Sequence, residues 1–190
     1  MKFLEEQIIK HGRIIDNEII KVDNFLNHQV DPEIINRLAK EFVEEFKDVK
    51  IDKVLTLEIS GIPVAYAVAS LLKVKMVFAK KTKSKIVDED VYCEEVRSFT
   101  RGTVSNITVS KDYINKGENI LIVDDFLAKG NAAIGLINIA KKGKANVVGF
   151  CAAICKSFQG GKELLEAMGL KVALGANIVA FKDNKPIFEE

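Results

Sequence analysis

Two adjacent carboxylates, Asp124 and Asp125, directly follow four apolar residues and precede a short turn of small residues. The segment from 119 to 133 reads NILIVDDFLAKGNAA, and a helical pattern begins at its end. Amide N–H groups at the start of a helix, together with the helix dipole, form a ready site for a phosphate. Two nearby carboxylates can accept hydrogen bonds from both hydroxyls of a ribose. The segment favours a ribose 5-phosphate site, although an acidic strand end that caps its own loop explains it equally well.

The turn after the acid pair is the predicted phosphate loop. It consists of Ala128, Lys129, Gly130, Asn131 and Ala132. The small residues of this loop let the backbone approach a phosphate closely. Lys129 either adds a charge-assisted contact or points to solvent.

The acid pair and the loop need a sheet to hold them, and the apolar runs along the chain predict one. From about residue 51 apolar strands alternate with helices, which predicts a mainly parallel sheet covered on both faces. Ligands of such sheets bind at the carboxyl ends of the strands, so we expect the chemistry in the loops after residues 57, 79, 123 and 154. The predicted strands cover 18–22, 51–57, 74–79, 119–123, 145–154 and 171–180, and the predicted helices cover 1–11, a stretch from 32, 61–72, 132–142 and 161–168.

Residues 80–115 do not follow this alternation of apolar strands and helices. The alternation in VYCEEV and TVSNITV predicts a two-stranded ribbon within them. A long insertion in a compact domain is often an active-site lid, and we interpret residues 81–110 as a flexible lid. A solvated hairpin without a role is the alternative interpretation.

The composition limits the class of partner. The chain has 190 residues, a length that suits one domain, and 28 Lys and Arg balance 27 Asp and Glu. We expect no nucleic-acid or membrane partner, because the nearly balanced charge gives the chain no overall electrostatic attraction to a polyanion. The N-terminal segment lacks the apolar run of a signal peptide, and no stretch is long enough for a membrane span. We therefore expect a cytoplasmic protein.

Cysteines and histidines do not form a metal-binding pattern. Cys93, Cys151 and Cys155 are an odd number without regular spacing, and His11 and His28 lie far from them. We interpret Cys151 and Cys155 as small buried strand residues, and we assign no residue as a metal ligand.

These motifs together resemble the type I phosphoribosyltransferase family, and within it the bacterial enzymes that act on xanthine. The six segments that carry the resemblance are KVDNFLNHQVDP, LEISGIPVA, AKKTKS, SFT at 98–100, VDDFLAKGNAA and CKSFQGG. They occur in the family's order and span nearly the whole chain. The resemblance implies an α/β fold in which helices flank a central, mostly parallel sheet. It also implies one domain over 1–190, with a β-ribbon lid at about 81–110 and a hood formed by about 1–30 and the segment after 155.

The resemblance implies a reaction as well. Phosphoribosyl pyrophosphate (PRPP) and xanthine would give xanthosine 5′-monophosphate (XMP) and pyrophosphate, with Mg2+ bound mainly through PRPP, in a homodimer. Asp124 and Asp125 would be the catalytic pair that holds the ribose, and residues 128–132 would bind the 5-phosphate of PRPP. The turn 58–61 would lie beside the pyrophosphate, and positive charge for that group would come from Lys80 or Lys81.

The resemblance places the purine base against Ile20, Asn27 and Lys156. Xanthine carries two exocyclic oxygens, and a lysine ammonium can donate a hydrogen bond to one of them. Phe158 either stacks on the purine or belongs to the core.

The phosphate loop departs from the family pattern at several positions. Lys129, Asn131 and Ala132 stand where many type I enzymes have threonines. Ala128 stands where hypoxanthine-guanine enzymes have an Asp that is often assigned as the general base. Proton transfer then uses another group or solvent, or the base binds as an anion.

Two other functions share most of these features. One is a transferase for another 6-oxopurine, hypoxanthine or guanine; adenine fits less well because its amino group would face the Lys156 donor. The other is a non-catalytic regulator that senses PRPP. That regulator would need a DNA-binding module, which this sequence does not indicate.

Overall fold

A computed structural model describes residues 1–82, 90–98 and 103–189. Parts of the predicted lid and of the AKKTKS and SFT segments therefore lie outside the described residues. The helices are α1 (Lys2–His11), α2 (Pro32–Glu45), α3 (Ile62–Leu72), α4 (Asn131–Lys142) and α5 (Gly161–Ala167). The strands are β1 (Arg13–Ile15), β2 (Ile19–Lys21), β3 (Lys53–Leu57), β4 (Lys75–Thr82), β5 (Val91–Ser98), β6 (Thr103–Ser110), β7 (Asn119–Leu127), β8 (Asn146–Lys156), β9 (Val172–Lys182) and β10 (Lys185–Phe188).

The main sheet has the strand order β10-β9-β8-β7-β3-β4-β6-β5. Its central strands β9, β8, β7, β3 and β4 are parallel, while β10 at one edge and the β5–β6 ribbon at the other are antiparallel. The predicted mostly parallel sheet is confirmed, and the alternating segments form the predicted ribbon, joined to the sheet through β4. The ends of β3, β4, β7 and β8 lie side by side at one edge, as the site requires.

Alternation along the strands builds the core on both faces of the sheet. Leu121 and Val123 pack into a cluster with α1, α2 and α3, whereas Ile120 and Ile122 pack into a second cluster with α4 and the ribbon. Every residue of β3 is buried, as expected for a strand with helices on both sides.

Helix α2 shows how local sequence sets an element. Asp31 is the N-cap, and its carboxylate accepts hydrogen bonds from the N–H groups of Glu33 at 2.9 Å and Ile34 at 3.3 Å. Proline follows at the first helical position, where its missing N–H costs nothing. The buried side chains Ile35, Leu38, Ala39 and Phe42 recur at helical spacing and face the core.

Strand β7 is longer than the sequence predicts. The apolar run predicts a strand that ends at Val123, but pairing with β8 continues to Leu127, opposite Cys155. The acid pair therefore lies inside a paired strand and not at its tip.

A small antiparallel hairpin, β1 and β2, precedes the main body. It leads into a five-residue π-helical turn, Asp23–Asn27, whose Phe25 and Leu26 are buried. Over the ranges that the structure describes, no helix is long and apolar enough to cross a membrane.

Candidate active site

The acid pair is buried although both residues are charged types. Asp124 is 6% exposed and Asp125 is 7% exposed. The backbone N–H of Asp125 donates to Asp124 Oδ1 at 3.0 Å. Burial and the neighbouring charge of Asp125 raise the pKa of Asp124 well above its usual range, and the positive charge of Lys81 lowers it. A buried carboxylate pair of this kind is poised to accept hydrogen bonds from a ligand.

The predicted phosphate loop leads from β7 into α4 and is held from outside the loop. Gly130 has φ of +84°, a left-handed conformation that glycine adopts without strain. The first helical hydrogen bond runs from the Ile134 N–H to the Gly130 carbonyl at 2.9 Å, so the amides before Ile134 face the open end of the helix. The Gly161 N–H donates to the Ala128 carbonyl at 3.0 Å and joins the start of α5 to the loop.

Gly161 must be a glycine for this contact. A Cβ at position 161 would lie 2.3 Å from the Ala128 carbonyl oxygen and 2.9 Å from the Gly130 nitrogen. The sequence places Gly161 in the CKSFQGG segment but does not indicate that it supports the phosphate loop. No local pattern carries this information, because the two segments meet only in the folded protein.

The turn between β3 and α3 lies against the acid pair. A Cβ at Gly61 would lie 2.6 Å from Asp124 Oδ1 and 2.3 Å from Thr56 Oγ1. The peptide bond between Glu58 and Ile59 is cis. The predicted pyrophosphate turn and Asp124 are thus direct neighbours.

The two lysines at the end of β4 differ in position. The Lys81 N–H donates to Glu58 Oε1 at 2.6 Å, and its ammonium charge acts on Asp124, so Lys81 belongs to the site. Lys80 lines a groove with Phe78 on the other face of the strand. Adjacent strand residues point to opposite faces, which explains the difference.

The hood residues reach the same edge of the sheet from the N-terminus. Asn27 Nδ2 donates to Asp125 Oδ2 at 3.5 Å, which connects the hood to the acid pair. Within the described chain, the buried Asn27 Oδ1 has no hydrogen-bond partner and is available to accept from a ligand. Ile20 is 7% exposed and packs in the core cluster with Phe25, so most of its surface is already covered.

Lys156 is the last residue of β8 and its ammonium lies beneath the hood. Its Nζ donates to the Glu18 carbonyl oxygen at 3.0 Å. Burial lowers the pKa of Lys156, while Glu18 raises it. An ammonium has three N–H donors, so this one bond leaves donor capacity for a ligand.

An aromatic pair stands beside Lys156. The rings of Phe158 and Phe181 meet edge to face with centroids 5.8 Å apart, and Lys156 Nζ lies 5.7 Å from the Phe181 ring centroid. Phe158 is 49% exposed, so it is not a core residue. The sequence does not indicate Phe181, because the predicted strand ends at residue 180 and no local pattern connects Phe181 with Lys156.

Two observations bear on metals and on other cavities. Among the described residues, no group of three His, Cys, Asp or Glu side chains is placed to hold a metal ion. A groove of about 1030 Å3 extends from the amino ends of β3 and β4 along the face of β4 that carries Phe78 and Lys80, and most of its lining, including Asp52, Lys73 and Glu118, lies toward those amino ends. Ligands of parallel sheets bind at the carboxyl ends of strands, so this groove is not the candidate site.

The structure combines a mostly parallel sheet with a buried acid pair on β7 and a predicted phosphate loop between β7 and α4. Comparison with known proteins identifies the class of protein that has this architecture. The phosphoribosyl transferase domain matches residues 21–171. Among solved structures, adenine phosphoribosyltransferase from Rhodothermus marinus has a TM-score of 0.75 at 21% identity, covering 94% of this chain and 100% of that chain. The enzyme from Giardia lamblia has a TM-score of 0.76 at 18% identity, covering 91% and 97%. At these identities the structures show the fold alone.

Curated relatives are closer in sequence. Xanthine phosphoribosyltransferase from Leuconostoc mesenteroides is 45% identical over 188 residues, covering 99% of this chain and 100% of the relative. The Clostridioides difficile protein of the same name is 49% identical over 173 residues, covering 90% and 91%. The chain therefore belongs to the phosphoribosyltransferase family and, within it, to the xanthine phosphoribosyltransferases.

Proposed function

We propose that this protein transfers the phosphoribosyl group of PRPP to xanthine, forming XMP and pyrophosphate in purine salvage. The observation that carries the proposal is the buried pair Asp124 and Asp125, which lies between the phosphate loop and the hood. Similarity over nearly the full length of xanthine phosphoribosyltransferases supports the choice of substrates.

The acid pair binds the ribose of PRPP. In the absence of ligand, burial and mutual repulsion raise the pKa of Asp124. Ribose hydroxyls donate hydrogen bonds to these carboxylates and so stabilise their charged form. The pair then places the anomeric carbon between the pyrophosphate turn and the base.

The phosphate loop binds the 5-phosphate of PRPP. The amides at the start of α4 face that group, and Gly130 lets the backbone turn closely around it. Ala128, Lys129, Asn131 and Ala132 complete the loop. Threonine hydroxyls are lacking here, so binding depends mainly on backbone N–H groups and the helix dipole.

The turn 58–61 and Lys81 bind the pyrophosphate. Gly61 lies against Asp124, so the leaving group is adjacent to the ribose. Lys81 supplies positive charge as the C1–O bond breaks. The protein contributes positioning and electrostatic stabilisation and no covalent nucleophile.

Mg2+ is the proposed cofactor, held mainly through oxygens of PRPP. The donor set fits this arrangement, because Mg2+ is commonly bound by one or two carboxylates with substrate phosphates and water. Asp124 and Asp125 are two carboxylates whose mutual repulsion a nearby cation offsets. When bound, the ion supplies charge neutralisation for the departing pyrophosphate.

Asn27 and Lys156 recognise xanthine under the hood, and Ile20 supplies an apolar wall. Lys156 donates to an exocyclic oxygen of the base, and Asn27 Oδ1 accepts from a ring N–H. Phe158 is exposed and free to stack on the purine face. A lysine donor disfavours adenine, whose amino group is also a donor.

Residues 1–190 act as one phosphoribosyltransferase domain, with a hood from about 1–30 and the segment after 155 and a lid at about 81–110. We place the activity in the cytoplasm, with which the free thiols of Cys93, Cys151 and Cys155 are compatible. We also propose a homodimer. Large exposed apolar side chains on the turn before α3, on α3 and on β4 support it, namely Ile59, Tyr66, Leu71 and Phe78.

Initial rates with a panel of bases test the proposed function. The purified protein is given PRPP, Mg2+ and xanthine, hypoxanthine, guanine, adenine or uracil, and nucleotides are separated by chromatography. We expect the highest kcat/KM with xanthine and almost no product with adenine. A higher kcat/KM for adenine, or no nucleotide with any base, would refute it.

A further inference from the structure

Two tight turns from opposite ends of the chain contact each other beside the site. The turn between β1 and β2 contains Asp16 and Asn17, and the turn between β9 and β10 contains Asp183 and Asn184. The φ angles of these four residues are 53°, 52°, 51° and 54°. Asn and Asp are favoured at such positions, because hairpin turns of type I′ need two positive φ angles in succession.

The two asparagines bind each other reciprocally. The Asn17 N–H donates to Asn184 Oδ1 at 3.0 Å, and the Asn184 N–H donates to Asn17 Oδ1 at 2.6 Å. We name this pair the asparagine clasp. It joins the N-terminal hairpin to the C-terminal hairpin, across 167 positions of sequence.

The clasp stands next to the groups that surround Lys156. The carbonyl oxygen of Glu18, the residue after Asn17, accepts the hydrogen bond from Lys156 Nζ. Phe181 precedes the turn of Asn184, and its ring centroid lies 5.7 Å from the same nitrogen. Each half of the clasp therefore carries one of the groups that determine where the ammonium lies.

Other contacts leave the tip of the N-terminal hairpin weakly held. Its strands β1 and β2 pair only with each other in the described part of the chain. Ile20 is buried and anchors the base of the hairpin, but Glu18 and Ile19 at the tip are exposed. The position of the Glu18 carbonyl consequently depends on the clasp more than on apolar packing.

We propose that Asn17 and Asn184 are positioning residues for recognition of the purine base. The clasp holds the Glu18 carbonyl and Phe181 so that Lys156 directs its remaining N–H donors to an exocyclic oxygen of xanthine. The inference rests on the proposed function, because it assumes that Lys156 binds the base. The two asparagines contact each other and neither the phosphate loop nor the acid pair, so we expect loss of the clasp to change PRPP binding much less than xanthine binding.

Glycine and aspartate substitutions distinguish the effect of the turn's backbone conformation from the effect of the side-chain hydrogen bond. Asn17→Gly and Asn184→Gly keep the left-handed backbone accessible but remove the side-chain acceptor. Asn184→Asp keeps an acceptor oxygen and tolerates positive φ. Lys144→Gly is a matched control, because Lys144 also has positive φ, 56°, but follows α4 and accepts a hydrogen bond from the Gly117 N–H near the start of β7, at the end of the sheet opposite the site.

The measurements are KM and kcat for xanthine and for PRPP, with a thermal melt of each variant to verify folding. Each glycine variant should raise KM for xanthine about 3- to 10-fold, as expected for loss of one hydrogen bond, and leave KM for PRPP within about 2-fold. Asn184→Asp should stay within about 2-fold of the unsubstituted protein for both substrates, and Lys144→Gly likewise.

Several results would overturn the inference. They are an unchanged KM for xanthine in both glycine variants, an equal rise in both KM values, or an Asn184→Asp variant as impaired as Asn184→Gly. Failure of the unsubstituted protein to form XMP would instead remove the proposed function, and the inference with it. An active unsubstituted protein whose glycine variants bind xanthine normally would refute the clasp alone.

Discussion

The N–H of Gly161 donates to the carbonyl oxygen of Ala128 at 3.0 Å, so the first residue of α5 supports the phosphate loop that precedes α4. The contact leaves no room for a side chain at position 161. A glycine outside the loop thus determines the shape of the loop.

Gly161→Ala should weaken PRPP binding selectively. The added methyl group would displace the Ala128 carbonyl and the Gly130 amide, and overpacking of this kind costs about 1–3 kcal/mol. We expect KM for PRPP to rise about 10-fold or more, with a smaller effect on KM for xanthine. Steady-state kinetics with each substrate varied in turn measure this.

Gly175→Ala is the matched control for that substitution. Its added methyl would lie 2.5 Å from the Ala153 carbonyl oxygen, but within the core against Leu4 and Leu38. We expect a lower melting temperature and an unchanged KM for PRPP. Equal KM values for PRPP in the two variants would refute the role of Gly161.

Asp124→Asn should make the protein more stable and less active. The amide keeps an acceptor for the Asp125 N–H but removes a buried charge next to Asp125. We expect a gain of about 1–2 kcal/mol in unfolding free energy at pH 7, or roughly 2–8 °C in melting temperature, with a fall in kcat/KM of at least about 100-fold. Chemical denaturation and initial rates measure the two effects.

The pH dependence of stability should also change in the Asp124→Asn variant. Folding raises the pKa of Asp124 above its ordinary value of about 3.9, so the folded protein retains this proton to a higher pH than the unfolded chain. Its contribution to stability therefore falls as pH rises through the interval between the two pKa values. The stability advantage of Asp124→Asn should be smallest at low pH and grow across that interval; a constant advantage would contradict the raised pKa.

Lys81 and Lys80 should differ sharply in importance. Lys81 acts on Asp124, whereas Lys80 lines the groove on the other face of β4. We expect Lys81→Ala to lower kcat/KM for PRPP about 10-fold or more, the effect of losing a hydrogen bond to a charged group. Lys80→Ala should change it less than about 2-fold. The reverse order would place the pyrophosphate elsewhere.

Lys53 and Glu118 should matter for stability and not for catalysis. Lys53 is 5% exposed and donates to both Glu118 carboxylate oxygens at 2.8 and 2.6 Å and to the Tyr113 carbonyl. Glu118 is partly exposed, but its removal leaves the buried charge of Lys53 without a carboxylate, so Glu118→Ala should destabilise the fold by about 3 kcal/mol. We expect unchanged KM values in the fraction that remains folded. Denaturation curves and kinetics at 20 °C compare the two properties, and a selective loss of activity would contradict this division.

Much of the fold can be predicted from the sequence, because the spacing of apolar residues shows which face of each helix or strand is buried. Asp31 and Pro32 predict the start of α2, and the apolar run before Asp124 predicts a central strand. The end of β7 could not be predicted, because Asp124 and Asp125 are poor strand residues by type. Pairing with β8 overrides that preference.

The candidate site was only partly predictable for a similar reason. Asp124, Asp125 and the phosphate loop are contiguous, so their types and spacing already indicate a phosphorylated sugar. Phe181 and Asn184 reach the site only through the β9–β10 hairpin, and Asn17 only through β1 and β2. Contacts between such distant segments produce no pattern in a single sequence from which they could be predicted.

A crystal structure of the protein with XMP tests the central claim most directly. We predict the 5′-phosphate on the amides of residues 128–132, both ribose hydroxyls within hydrogen-bond distance of Asp124 or Asp125, and the purine beside Lys156. XMP bound in another cavity, with the acid pair contacting only protein, would contradict the account.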